Sequence, residues 1–133
     1  MTSGERFARR VFMGAGIYGL IVLLPQYFME AQIGRDSPPA ITHPEHFYGF
    51  VGVALAWQFA FLVIARDPQR FRPLMPVAVI EKLAFFLPTL WLFLGGRVAA
   101  AVLGVATVDL LLGTLFLASF LRTRDAAAPP AST

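Results

Sequence analysis

At 133 residues the chain is long enough for one domain, but 57% of it is apolar and only 14% charged, more apolar side chain than one small soluble core can hide. Its net charge of +3 comes from ten arginines and one lysine, and the arginines sit at the ends of apolar runs rather than in a groove, which argues against a nucleic-acid partner. There is no cysteine, so disulfides, thiolate metal ligands and redox dithiols are excluded.

In chain order, four apolar runs are predicted to be membrane-spanning helices. They cover residues 11–29 ("VFMGAGIYGLIVLLPQYFM"), 47–65 ("FYGFVGVALAWQFAFLVIA"), 74–94 ("LMPVAVIEKLAFFLPTLWLFL") and 98–121 ("VAAAVLGVATVDLLLGTLFLASFL"). Each approaches or exceeds the ~20 residues that cross a ~30 Å hydrocarbon layer as helix. None alternates polar and apolar residues as the strands of a membrane barrel do. The fold class expected is therefore all-α, an integral membrane four-helix bundle forming one domain over residues 1–125, with a disordered tail at 126–133 ("AAAPPAST"). No small-residue cleavage site follows the first run, so it is expected to be retained.

Arg6, Arg9 and Arg10 precede the first run, Arg66, Arg70 and Arg72 lie between the second and third, and Arg122 and Arg124 follow the fourth. Only Arg35 and Arg97 fall in the opposite connections, so the ratio is eight to two. That bias predicts both termini and the middle loop in the cytoplasm of a multi-pass protein of the cell membrane, with a bacterial inner membrane as the setting. The lipid bilayer is thus the first partner.

Gly52, Ala56 and Ala60 recur every four residues and predict a smooth packing face on the second run, as Gly14, Gly16 and Gly19 do on the first. Pro25 and Pro88 should bend or open their helices. The short connections at 66–73 and 95–97 predict that the second, third and fourth runs are antiparallel neighbours, while 30–46 is a long outer connection. Within the cytoplasmic loop, Phe71 and Met75 are expected to dip into the membrane interface and the arginines to meet headgroups.

The chemistry-bearing residues are few. Glu81 and Lys82 stand together inside the third run, Asp109 inside the fourth, and Gln58 beside Trp57 inside the second. A charge at the bilayer centre costs ~2.5–3.5 kcal/mol, so such groups normally face protein or a cavity. Glu81 shares its helix face with Ala78, Ala84 and Phe85, and Asp109 with Ala106 and Gly113, which suits faces pressed against other helices. Counted from the cytoplasmic ends, Glu81 and Gln58 lie ~10–12 Å deep and Asp109 ~18 Å deep, so a direct Glu81–Asp109 pair is not expected. Glu81 with Gln58, or Lys82 reaching an acid on an adjacent helix, is easier to build. Lys82 could instead snorkel to the cytoplasmic surface, and Glu81 could pair with Arg66, Arg70 or Arg72. Asp109 has no basic partner evident at its depth.

At the start of the second run, "ITHPEHFYGF" sets His43, Glu45 and His46 close in sequence, with Pro44 suited to a first helical turn. Two imidazoles and a carboxylate are a minimal metal set. The competing reading is an interfacial belt of His46, Phe47 and Tyr48, and a third makes the loop a lid over an outward pocket with Tyr48 at its mouth. No phosphate loop or other cofactor motif is present: "GAGIYG" lies inside an apolar run and follows no strand.

Four spans in one short chain, a Gly-rich first span and "VDLLLGTLFLASF" in the last resemble the DoxX-like group of small bacterial membrane proteins. That resemblance implies a four-helix fold, and some members are associated with oxidoreductase or respiratory complexes. A more distant similarity is to four-span sterol isomerase and sterol-binding domains, with no residue-by-residue match. Three functions fit the residues. The first is a non-catalytic binding or accessory component of a membrane complex. The second is a small enzyme or binder for a lipophilic molecule (a lipid, quinone or sterol-like compound) that uses Glu81 and Asp109 in an intramembrane pocket. The third is proton- or ion-coupled transport by a homo-oligomer.

Overall fold

The computed structural model describes residues 1–123, and the expected tail at 126–133, like Arg124 and the end of the domain at 125, lies outside them. Among the described residues every regular element is a helix, with no strand. Helix α1 (Ser3–Leu23) starts well before the run at 11 because its cap lies upstream. The Thr2 hydroxyl accepts the Glu5 backbone N–H at 3.1 Å and the Glu5 carboxylate accepts that of Thr2 at 3.2 Å, a reciprocal capping box. Pro25 ends α1 in a tighter 3₁₀ turn over Leu24–Phe28. The outer connection, expected as a loop, contains a short helix α2 (Glu30–Asp36).

Helix α3 (Pro44–Arg66) begins on Pro44, whose missing N–H costs nothing in a first turn. After a 3₁₀ turn at Arg72–Leu74, α4 (Met75–Leu94) runs without a break through Pro88, where a bend was expected. It stops where Gly96 takes φ 71°, so that Gly96 N–H reaches Phe93 C=O at 3.0 Å and Arg97 N–H reaches Leu92 C=O at 2.9 Å. Helix α5 (Ala100–Arg122) completes the set. Four helical stretches, Ser3–Phe28, Pro44–Arg66, Arg72–Leu94 and Ala100–Arg122, are long and apolar enough to cross a membrane.

Packing departs from the expected order. Helix α1 packs on α3 and on α5, and α4 packs on α5, whereas α3 and α4 barely touch although a short turn joins them. The glycines of α1 explain the preference. A Cβ at Gly16 would come within 2.7 Å of Leu62, and one at Gly19 would run into the Gln58 side chain, so both glycines let α3 lie close. Gly14, by contrast, faces open space. Helix α3 therefore turns Val51, Gln58, Phe61 and Ala65 inward, while Ala56, in the middle of the predicted smooth face, is exposed.

The densest packing lies at the end of the bundle that carries the N-terminus and most arginines. Phe12 stacks on Phe116 at 4.3 Å between ring centres, and Phe61 lies 4.8 Å from Phe116. Ala8, Ile64, Met75 and Ala78 close around them; Met75, expected at the interface, is fully buried in this core. Arginines tie off the helix ends there. Arg9 donates to the carbonyls of Ala65 and Arg66, both at 3.1 Å, and so caps the C-terminus of α3. Arg72 donates to Thr123 Oγ1 at 3.1 Å and Phe120 C=O at 3.0 Å, and its guanidinium lies 3.8 Å from the centre of the Phe120 ring. Arg72 is therefore a clamp on α5 rather than a headgroup ligand.

Candidate functional site

The near-absence of contact between α3 and α4 leaves a cleft of about 680 Å³ on that side of the bundle. Its α3 wall is formed by Phe50, Val53, Ala54 and Trp57, an i, i+3, i+4, i+7 stripe, and its α4 wall by Val77, Ile80, Ala84 and Phe85. Phe50 and Phe85 approach to 5.7 Å between ring centres across it. Glu45 and His46 stand at one end, and Glu81 is set into the α4 wall.

Behind this wall lies a second, more enclosed cavity of about 200 Å³ among α1, α3, α4 and α5. Gln58, Glu81, Lys82 and Asp109 all line it. Phe50, Ala54, Glu81 and Phe85 belong to both cavities, so Glu81 marks where the apolar cleft meets the polar interior.

Glu81 and Asp109 both meet Lys82, which reaches an acid on an adjacent helix. Its ammonium lies 3.3 Å from Asp109 Oδ1 and 3.6 Å from Glu81 Oε2, and 5.2 Å from the centre of the Phe61 ring. Lys82 does not snorkel: it is only 5% exposed. Gly113 on α5 makes this possible, because a Cβ there would lie 3.2 Å from Lys82 Cβ. Lys82 bridges Glu81 and Asp109, and it is the basic partner of Asp109 that the sequence did not reveal. Among the described residues Glu81 pairs with none of Arg66, Arg70 or Arg72.

Gln58 is buried at 2% exposure, and its Nε2 donates to Ala54 C=O at 2.8 Å rather than to Glu81. Its Oε1 and Glu81 Oε2 have no hydrogen-bond partner among the described residues. Trp57 lines the cleft as a half-buried wall residue. Tyr48 does not line its mouth: the hydroxyl donates to Glu30 Oε2 at 2.9 Å and the ring stacks with Tyr27 at 6.2 Å, so Tyr48 ties α3 to α2 instead.

His43, Glu45 and His46 do come together. Their ligand atoms lie within 4.8 Å of one another, with His43 Nδ1 at 3.3 Å and His46 Nε2 at 3.9 Å from the same Glu45 oxygen. All three are exposed, and a hydrogen bond between His43 and Glu45 accounts for their approach as well as a metal ion would.

Sequence reasoning missed the walls of the cleft. Phe50, Val53, Ile80 and Val77 are unremarkable apolar residues, and the signal that could have found them is the matching helical stripe on two runs that fail to pack. It also missed Gly19 as the reason Gln58 can turn inward. Comparison with known protein families, with curated proteins and with solved structures finds no match for this chain, so the site is read from its own geometry.

Proposed function

We propose that this chain is a multi-pass membrane protein that binds a small lipophilic molecule in the cleft between α3 and α4, reached sideways from the bilayer. The observation that supports this most is the joining of a roughly 680 Å³ apolar cleft to a buried polar cluster through one shared carboxylate, Glu81. The volume falls in the ~300–1,000 Å³ range of small-molecule sites, and such sites pair apolar walls with a few polar groups. The arginine bias orients the bundle with its termini and the basic turn in the cytoplasm, so Glu45 and His46 mark the outer end of the cleft. The four-span layout that resembles DoxX-like proteins contributes an architecture to this reading and no residue.

An accessory subunit that receives a partner's helix in the same cleft is the second reading. The dimensions favour the small molecule. From Glu45 to Trp57 the cleft follows α3 for only ~18 Å, against ~30 Å for a spanning helix.

The test is photocrosslinking of the protein in phosphatidylcholine nanodiscs with a diazirine-bearing twelve-carbon alcohol. Saturable labelling of Val53, Trp57, Ile80 and Ala84, abolished by Ala84→Trp, is the expected result. Labelling spread evenly over the outward faces of α1 and α5, at residues such as Ile21 and Leu111, would show that the cleft is ordinary lipid-facing surface and end the proposal.

A further inference from the structure

The hydrogen-bond inventory around the inner cavity names a chemical class for the ligand. We infer that the cleft takes a lipophilic amine in its protonated form, with the ammonium beside Glu81 in the inner cavity and the hydrocarbon part in the cleft. This rests on the cleft reading given above and deepens it.

Each nitrogen donor lining the inner cavity already has a partner. Lys82 Nζ sits between Asp109 and Glu81, Gln58 Nε2 donates to Ala54 C=O, and Gln26 Nε2 donates to Val22 C=O at 3.2 Å. The Tyr18 hydroxyl at the rim both donates and accepts. What remains is acceptors. Glu81 Oε2 and Gln58 Oε1 are buried without a hydrogen-bond partner among the described residues.

Charge points the same way. Two carboxyl groups, Glu81 and Asp109, share the one lysine of the chain, so the ionised cluster carries one negative charge in excess. A buried excess charge is costly, and a cation placed beside it is favoured accordingly. Phe50, Trp57 and Phe85 line the cleft together with Glu81, and aromatic rings attract cations. An N–H⁺ donor therefore answers both the unpartnered Glu81 oxygen and the unbalanced charge.

The experiment compares N,N-dimethyldodecylamine with N,N-dimethyldodecanamide, a neutral molecule of the same chain length that cannot donate. Trp91→Phe leaves Trp57 as the single indole reporter, and affinities are read in phosphatidylcholine nanodiscs, corrected for partition into protein-free discs. The amine is expected to bind about tenfold tighter or more, the scale of one charge-assisted hydrogen bond. That advantage should vanish in Glu81→Gln. It should also vanish in Asp109→Asn, which leaves the cleft wall untouched but removes the excess charge. A helical circular-dichroism spectrum and a melting temperature like those of the wild type show that each variant is folded, and if either fails this control the wild-type ratio decides. Equal affinity of the two probes for wild type, or an amine advantage that survives in either folded variant, overturns the amine while the cleft reading stands. If neither probe binds, both fall.

Discussion

The two halves of this bundle use the same four helices and are packed in opposite ways. Toward the basic end, Phe12, Phe61 and Phe116 interlock and arginines from α1 and the turn before α4 cap the neighbouring helix ends. On the side where α3 and α4 barely touch, the space between them becomes the cleft, with the polar cavity behind it. Lipid is as apolar as leucine, so membrane helices gain little merely by burying apolar surface and associate through close packing and polar contacts. Where both are present the bundle closes. Where they are absent it opens, and the Lys82 cluster lies at the boundary.

The largest effect that could break this contrast is a deletion in the closed half. Phe116→Ala should lower unfolding stability by about 4 kcal/mol, since the cavity left between Phe12 and Phe61 cannot collapse. Val53→Ala on the cleft wall should stay within about 0.5 kcal/mol. Thermal and denaturant unfolding of both variants in the same micelle gives the comparison. Equal losses would mean that the cleft wall is packed as tightly as the core.

The boundary comes next. Lys82→Met leaves two carboxyl groups without their shared cation and should cost about 3 kcal/mol. Adding Asp109→Asn and Glu81→Gln should recover most of that loss, because the penalty lies in the stranded charge and not in missing volume. A triple variant no more stable than Lys82→Met would instead place the lysine's contribution in its buried stem.

The smallest expected effect separates two glycines of α1 that look alike in sequence. Gly19→Ala should destabilise by about 2 kcal/mol by forcing Gln58 out of its place, and it should alter the inner cavity. Gly14→Ala meets open space and should be neutral or slightly stabilising, by up to about 1 kcal/mol, because alanine is the better helix former. Losses of similar size at both positions would mean that α1 and α3 do not approach along the Gly16–Gly19 edge.

Much of the fold was legible because hydropathy and helix punctuation are local. The number of spans, the positions of the connections and the start of α3 at Pro44 follow from runs of apolar residues and from the φ of proline. So does the presence of Glu81, Lys82, Gln58 and Asp109 inside helices that must hide them. Which helices would be neighbours did not follow. A short turn between α3 and α4 suggested contact, but the choice depended on what each glycine meets on another helix, and that is a property of pairs of surfaces. The same holds for the site. Sequence placed an acid and a base side by side at Glu81–Lys82, whereas only the tertiary structure turned the lysine inward across Gly113 to Asp109 and left Glu81 between an apolar cleft and a polar interior. Burial of a residue can be inferred from its neighbours along the chain, but its partners are set by the packing of helices distant in sequence.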